Sequence, residues 1–149
     1  MPQTEEASKS FYDKILPKLK GKKFPRPLYV IHEHHATRLH WDLRLEFDGV
    51  LESWALPKEP PAEEGVKRLA VQVEPHPLLY GLWEGTIPKG NYGAGVVKIW
   101  DTGTFETLER SENKIVVNLK GKKLKGKYIL VKASFSGSKS NWLFFKSSE

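Results

Sequence analysis

Apolar and polar residues alternate strictly along one segment of the chain, residues 40–47. The apolar positions are Trp41, Leu43, Leu45 and Phe47, and the polar positions are His40, Asp42, Arg44 and Glu46. Successive side chains of a β-strand point to opposite faces, so this pattern predicts a strand with one apolar and one polar face. The Asp48-Gly49 pair that follows favours a two-residue hairpin turn with positive φ at both positions, after which the chain returns as the strand Val50–Leu56.

The same two-residue period recurs through most of the chain, after one helical stretch near its start. Phe11, Ile15 and Leu19 recur every four residues, which predicts a short helix over residues 5–19 that covers one end of the fold. Further strands are predicted at Leu28–His34, Arg68–Val73, Trp83–Thr86, Val96–Asp101, Thr104–Thr107 after a turn at Thr102-Gly103, Ile115–Leu119, Tyr128–Lys132 and Asn141–Lys146, with Glu74–Gly81 irregular.

Short strands at this spacing are typical of a closed antiparallel barrel, because closure removes exposed strand edges. We therefore predict a mainly β protein in two parts. Residues 1–27 form an N-terminal helix and a basic linker, and residues 28–149 form one small antiparallel β-barrel of about eight strands.

Composition and charge exclude several classes of protein. The chain of 149 residues has no cysteine, which excludes a disulfide scaffold, a thiolate zinc site and cysteine-based catalysis. No apolar run approaches the roughly 20 residues that span a bilayer, so we expect a soluble, cytoplasmic protein with no membrane partner. Lys and Arg exceed Asp and Glu by 24 to 18, a net charge of +6, which is compatible with a polyanionic partner.

Four of the five histidines lie within residues 32–40. If the first two strands pair through the loop 35–39, His34 lies opposite His40, and His32 lies opposite Asp42. Two imidazoles and a carboxylate then converge on the polar face, a ligand set that suits Zn²⁺, Mn²⁺ or Fe²⁺ without selecting among them. The alternative is an ordinary solvated strand face.

Other polar residues near this face suggest a phosphate site. Arg44 lies one pleat beyond Asp42, where a guanidinium can bind phosphate, although an ion pair with Glu46 or another barrel carboxylate is the alternative. His76 is held between two prolines and can act as a general acid or a phosphate donor, or it can be a turn residue without function. Tyr80 can donate to the same anion or simply fill the barrel. The residues Arg68, Gln72 and Glu74 are predicted to share the polar face of one strand.

Several stretches together resemble, in order and spacing, the 3′-phosphoesterase domain of bacterial DNA ligase D and its stand-alone archaeal and bacterial relatives. The most specific of them reads VIHEHHATRLHWDLRLE, residues 30–46. The others are Ser53–Lys58, Val73–Tyr80, Glu84–Gly95 and Trp142–Lys146.

This resemblance implies a hydrolase that depends on Mn²⁺, with Co²⁺ or Zn²⁺ as possible substitutes, and that repairs DNA 3′ ends during non-homologous end joining. As a 3′-phosphodiesterase it removes a terminal 3′ ribonucleoside, and as a 3′-phosphatase it then removes the phosphate to leave a 3′-OH. The implied partners are DNA with recessed 3′ ends, carrying 3′-ribonucleotide or 3′-phosphate termini, and a separate DNA ligase and polymerase acting in trans.

The resemblance also implies roles for individual residues, by position. The metal ligands are His34, His40 and Asp42; the catalytic and phosphate-binding residues are Arg44, His76 and Tyr80; Lys58 and Arg68 bind substrate; Glu74 and His32 support the site. The nucleophile stays open between a water on the metal and a histidine that forms an adduct.

The chain departs from the family pattern in two places. His32 and His35 stand where many relatives carry Gln and Asp, which leaves open whether either adds a metal ligand. Relatives also often carry an Arg in an extended N-terminal segment, whereas the first Arg of this chain is Arg26.

Two other functions fit parts of the sequence. His40, Asp42 and a distant His76 imitate the two-histidine, one-carboxylate triad of Fe²⁺ oxygenases. A nucleic-acid-binding barrel without catalysis would fit the charge and the aromatic residues alone.

Overall fold

The computed structural model describes residues 5–91, 93–133 and 138–148, with side chains described from Phe11 onward. It contains helix α1 at Glu5–Leu19 and a short 3-10 helix at Leu78–Leu82. The strands are β1 Leu28–His35, β2 Leu39–Phe47, β3 Val50–Leu56, β4 Lys67–Pro77, β5 Gly85–Ile87, β6 Gly95–Arg110, β7 Lys114–Lys120, β8 Lys125–Lys132 and β9 Asn141–Lys146. Neither helix is long and apolar enough to cross a membrane.

Eight of these strands form a closed antiparallel ring. Their order is β1-β2-β3-β4-β9-β8-β7-β6, and β6 closes the ring by pairing with β1, while β5 extends the edge of β6. The hairpin between β2 and β3 has positive φ at Asp48 (54°) and Gly49 (82°), as the turn type requires. The prediction of a mainly β protein with an eight-stranded antiparallel barrel is confirmed.

The predicted turn at Thr102-Gly103 is wrong, because β6 runs through it without a break. Thr102 pairs with Val30 and Gly103 pairs with Tyr29 on one side, and β7 follows closely on the other. A Cβ on Gly103 would lie 2.1 Å from the carbonyl oxygen of Lys120. Gly103 therefore does not end β6. Its missing side chain allows the neighbouring strands β1 and β7 to lie close to β6.

Two further boundaries differ from the prediction. Residues 74–81 are not irregular, because β4 continues to Pro77 and the 3-10 helix follows directly. The strand predicted at Trp83–Thr86 is displaced to Gly85–Ile87. Tyr80 of the 3-10 helix is buried, so the segment that connects β4 to β5 is a packed element rather than a surface loop.

Two separate clusters of apolar side chains hold the protein together. The larger one fills the barrel interior and includes Leu43, Leu45 and Trp54, each fully buried. The smaller one packs α1 against the outer wall, where Phe11 and Ile15 contact a group that includes Tyr80. Helix α1 was predicted to cover one end of the fold. Instead it forms part of a second layer beside the polar face of β1 and β2, and this layer buries that face.

Candidate active site

A bulge in β4 turns His76 towards the outer face of the barrel. Ser53 pairs with Val73, but Leu51, two residues earlier, pairs with His76, three residues later, so β4 carries one extra residue there. The bulge shifts the alternation by one position, and His76 lines the same pocket as Val73. Pro75, which has no N–H to donate, lies within the bulge.

The predicted polar face of Arg68, Gln72 and Glu74 is therefore wrong. Ala70, which alternates with Arg68 and Gln72, is fully buried in the barrel core. Gln72 accepts a hydrogen bond from the Trp142 indole at 3.1 Å. Glu74 comes after the shift and lines the outer pocket.

His34, His40 and Asp42 meet on the outer face as the strand pairing predicts. His34 pairs with His40 across β1 and β2, and His32 pairs with Asp42. The Nδ1 atom of His34 lies 3.5 Å from one Asp42 oxygen, and the Nε2 atom of His40 lies 3.2 Å from the other. His34 and Asp42 are buried, and His40 is half-buried.

The other nitrogen of each imidazole contacts a backbone carbonyl. His34 Nε2 lies 2.6 Å from the Gly93 oxygen, and His40 Nδ1 lies 3.2 Å from the Arg38 oxygen. A carbonyl only accepts, so these nitrogens carry the protons, and in the neutral rings both remaining lone pairs point at the Asp42 carboxylate. Lone pairs facing a carboxylate require a cation between them, either protons or a metal ion.

These three residues fit a divalent metal ion. One donor atom from each residue lies within 4.8 Å of the others, and the set of two nitrogens and one oxygen suits borderline transition metals. Metal-binding histidines ordinarily donate their second N–H to a carbonyl or a carboxylate, as both do here. Asp42 also holds His40 in a favourable charge environment: burial opposes protonation, but the carboxylate outweighs it and raises the pKa of His40.

Arg44 links the metal-ligand cluster to the other predicted residues and is itself buried. Its Nε donates to His32 at 3.0 Å, and its Nη1 lies 2.9 Å from Ser53 Oγ and 3.1 Å from His76 Nδ1. Its Nη2 lies 3.3 Å from Asp42. A guanidinium has five N–H donors, so this arrangement leaves one, on Nη2, without a partner among the described residues. Arg44 therefore has one donor available on Nη2. Its carboxylate partner is Asp42, at 3.3 Å, rather than Glu46, so the predicted alternative of an ion pair with another barrel carboxylate is formed here.

His32 positions Arg44 and does not join the metal-ligand cluster. Its Nδ1 accepts from Arg44, and its Nε2 donates to the carbonyl of Trp83 at 3.1 Å. Burial, with the neighbouring charge of Arg44, lowers the pKa of His32 to about 3, so the ring is neutral. His35 also lies apart from the cluster, since its Nε2 is 2.7 Å from the Glu33 carboxylate on the exposed side of the strand.

His76 and Tyr80 both contact Arg44, and His76 does so through Nη1 whereas Asp42 contacts Nη2. Their rings are 5.0 Å apart, and the Arg44 guanidinium lies 5.0 Å from the centre of the Tyr80 ring. Burial, with the charge of Arg44, lowers the pKa of His76 to about 3, and burial raises the pKa of Tyr80 to about 12. His76 is not among the described residues whose donor atoms converge with those of His40 and Asp42, so the facial triad of His40, Asp42 and His76 is not formed.

All six central residues border one pocket of about 970 Å³ between the barrel and the second layer. The six are His34, His40, Asp42, Arg44, His76 and Tyr80. Lys58 and Arg68 do not line this pocket: Lys58 is exposed, and Arg68 donates to the carbonyl of Glu59 at 2.7 Å. Arg26 does not line it either, since its guanidinium pairs with Glu46.

The sequence interpretation missed three groups at this site. Ser53, which receives an Arg44 donor, lies opposite Arg44 in the hairpin, so the register set by the Asp48-Gly49 turn could have identified it. Phe11 and Tyr12 of α1 line the pocket, and no local pattern indicated where this helix would pack. The Gly93 carbonyl, which orients His34, lies in a loop distant in sequence.

These features define a small closed β-barrel with a pocket on its outer wall, where two histidines and an aspartate that could hold a cation lie beside an arginine. A sequence model of the DNA ligase D 3′-phosphoesterase domain matches residues 32–132, and the chain belongs to this family. The resemblance drawn from the sequence is thereby confirmed.

Several longer proteins named LigD are similar to this chain. The chain is 44% identical over 126 residues to the multifunctional non-homologous end joining protein LigD of Pseudomonas aeruginosa, which covers 81% of this chain and 15% of that protein. It is 48% identical over 110 residues to the multifunctional non-homologous end joining DNA repair protein LigD of Mycobacterium tuberculosis, covering 71% and 14%. The LigD of Mycolicibacterium smegmatis is 46% identical over 126 residues, covering 77% and 16%. The chain thus spans only a small part of the length of these relatives.

Proposed function

We propose that this chain is a metal-dependent hydrolase that repairs DNA 3′ ends in non-homologous end joining. As a 3′-phosphodiesterase it removes a 3′-terminal ribonucleoside, and as a 3′-phosphatase it removes the remaining 3′-phosphate, so that a ligase can use the 3′-OH. The family and the names of its relatives support the pathway. The observation that carries the chemistry is the pair of imidazoles that direct their lone pairs at Asp42 beside the free donor of Arg44.

His34, His40 and Asp42 would hold the metal ion. We propose Mn²⁺ as the ion in use, with Co²⁺ or Zn²⁺ able to replace it, because two nitrogens and one oxygen do not discriminate sharply. When bound, a divalent ion supplies Lewis-acid stabilisation to the negative charge that develops on the phosphate.

The remaining residues bind and orient the phosphate. Arg44 donates its free N–H to a non-bridging oxygen, and its other contacts keep it rigid, so little reorganisation is needed during the reaction. Tyr80 keeps its proton at neutral pH and can donate it in a hydrogen bond. His76 Nδ1 lies 3.1 Å from both an Arg44 donor and the Glu74 carbonyl oxygen. Because the guanidinium can only donate, we assign Nδ1 as its acceptor and the proton of the ring to Nε2.

His76 therefore begins as a neutral donor rather than an imidazolium acid. Its Nε2–H can hydrogen-bond to the leaving oxygen, and the negative charge of a bound phosphate would raise the pKa of His76 from the value of about 3.

Each of the two proposed reactions consumes one water. In the first, the bond from phosphorus to the 5′ oxygen of the terminal ribonucleoside breaks, that oxygen takes a proton, and a 3′-phosphate remains.

The proposed partner is DNA with a recessed 3′ end, supplied to the site by the net positive charge of the chain. A DNA ligase and a polymerase acting in trans would complete the repair, and a cytoplasmic location belongs to the same proposal. Lys58 and Arg68 can contact only parts of the substrate that lie outside the pocket.

A labelled primer–template that ends in a single 3′ ribonucleotide tests this function. With Mn²⁺, we expect the primer to shorten to a 3′-phosphate and then to convert to a 3′-OH; with EDTA, we expect neither product. Binding of the same DNA should survive EDTA. A protein that binds the primer–template but never cleaves it with any divalent ion would instead be a nucleic-acid-binding barrel.

A further inference from the structure

We propose that Tyr12 of α1 forms the binding surface for the terminal nucleoside, the group that leaves in the first reaction. This inference rests on the proposed function and adds a specificity residue to it. Helix α1 would then be part of the substrate site rather than an external support for the barrel.

The contacts across the pocket run in one order. Asp42 contacts Arg44, and Arg44 contacts His76 and Tyr80. Tyr12 comes next: its ring lies 6.0 Å from the His76 ring and 5.6 Å from the Tyr80 ring, both edge-to-face. A phosphate bound by the metal ligands and by the available Arg44 donor therefore has Tyr12 on the side of His76.

The side of His76 is also the side of the leaving group. His76 is the residue proposed to donate to the leaving 5′ oxygen, so the nucleoside attached to that oxygen lies beside His76 and Tyr12. The upstream strand continues into the duplex and needs an open route out of the pocket. A terminal nucleoside is a chain end and can be enclosed by α1.

The wall around Tyr12 has the chemistry that a nucleobase needs. Phe11, Pro75, Pro77 and Ile87 also line the pocket, so its surface here is largely apolar and partly aromatic. A volume of about 970 Å³ lies at the upper end of the range of ordinary ligand pockets, which is large enough for a phosphate together with a nucleoside. Aromatic side chains stack on any base, so this wall would recognise a terminal nucleoside without selecting its sequence.

A variant of Ile15 can distinguish two explanations for a loss of activity in a Tyr12 variant: loss of stacking on the base, and looser packing of α1. Phe11 packs edge-to-face on Trp83 at 5.3 Å, and Ile15 is buried in the same cluster. Ile15 does not line the pocket, whereas Tyr12 does. Ile15→Ala therefore loosens the helix without removing a pocket side chain, and it serves as the matched control.

The experiment measures kcat/KM with Mn²⁺ on three primer–templates for wild type, Tyr12→Ala, Tyr12→Phe and Ile15→Ala. The first substrate ends in a 3′ ribonucleoside, the second ends in the same ribose without a base, and the third ends in a 3′-phosphate. For Tyr12→Ala we expect the preference for the ribonucleoside over the abasic ribose to fall about tenfold, mainly through KM, since one stacked base is lost. Tyr12→Phe keeps the ring and should keep the preference.

Two results would overturn the inference alone. Either Tyr12→Ala lowers all three activities by the same factor, or Ile15→Ala reproduces its loss of preference for the base; both would mean that Tyr12 only packs the helix. A wild-type protein that cleaves none of the three substrates would overturn the proposed function, and the inference with it.

Discussion

Two aspartates are buried in this protein to nearly the same extent, and their surroundings differ completely. Asp101 on β6 is 3% exposed, and Asp42 on β2 is 5% exposed. Asp101 accepts four hydrogen bonds, from the hydroxyl of Tyr29 at 2.8 Å and from the backbone N–H groups of residues 122, 123 and 124 at 2.8–3.0 Å. Asp42 contacts three side chains that carry or can carry positive charge: His34, His40 and Arg44.

This difference distinguishes a carboxylate that stabilises the fold, Asp101, from one whose surroundings suit a functional site, Asp42. The donors around Asp101 are neutral and fixed, so they solvate its charge and tie the turn between β7 and β8 to β6. Around Asp42, burial alone would raise the pKa, but Arg44 and the two imidazoles outweigh it and hold the pKa well below its usual range. Groups that exchange protons or accept a cation are typical of functional sites.

Replacing Asp42 by asparagine should mainly reduce activity, whereas replacing Asp101 by asparagine should mainly reduce stability. Asp42→Asn removes a charge that a metal ion needs, so we expect activity with Mn²⁺ to fall on the order of 10³-fold, while the protein stays folded. Asp101→Asn sets an amide donor against backbone N–H groups, so we expect the free energy of unfolding to fall by about 2–3 kcal/mol. Primer cleavage and urea unfolding measure the two effects. An inactive Asp101→Asn protein that remains fully folded would contradict the distinction.

Alanine at two glycines tests the same contrast with a smaller effect. A Cβ on Gly121 would lie 2.3 Å from an Asp101 oxygen, so we expect Gly121→Ala to lower stability by about 1–3 kcal/mol without changing metal affinity. A Cβ on Gly93 would lie 3.3 Å from the His34 ring, so we expect Gly93→Ala to weaken Mn²⁺ binding about tenfold, measured by calorimetry.

Gly90→Ala is the control for Gly93→Ala. Both glycines have positive φ, 91° at Gly90 and 75° at Gly93, so alanine strains both backbones, but nothing lies within 4 Å of a Cβ at Gly90. Equal losses of Mn²⁺ affinity in the two variants would show that backbone strain, and not the position of His34, causes the effect.

A third carboxylate, Glu46, should show the smallest effect and a dependence on pH. It accepts from the Leu28 N–H at 2.8 Å and pairs with Arg26; burial opposes the charge, but these partners lower the pKa of Glu46. A lowered folded pKa contributes stability above the unfolded value of about 4.5, and this contribution is lost as pH falls further. We expect Glu46→Gln to cost about 1–2 kcal/mol at pH 7, and less as pH falls below 4.5. A cost that stays constant between pH 7 and pH 3 would contradict this account.

Residues joined by short hairpins could be placed from the sequence. The alternation in β2 and the turn at Asp48-Gly49 determine which residues face each other, and the pairs of His34 with His40 and His32 with Asp42 follow from the loop between β1 and β2. In these segments local geometry decides the register, because a shift of one residue would turn every apolar side chain outward.

Residues placed by distant packing could not be predicted in this way. The position of α1 depends on Trp83 and Tyr80, which lie about 70 residues later and form their surface only when the barrel has closed. His32 was an open question for a similar reason, since its partner Trp83 is distant in sequence. Arg68 was assigned to the wrong face because strict alternation was carried across a bulge, for which Pro75 was the one signal in the residue types.

The bulge in β4 also shows how the site can accommodate a change in chain length. Without a bulge, the two residues between Val73 and His76 would turn His76 to the barrel interior, whereas deleting Glu74 or Pro75 would remove the bulge and leave His76 two residues after Val73, on the outer face. The pairing of residues 67–71 with β9 would be untouched, so the barrel could still close. Among related sequences, a one-residue gap at this point is therefore compatible with a histidine in the pocket, because the shorter strand reaches the same face without a bulge.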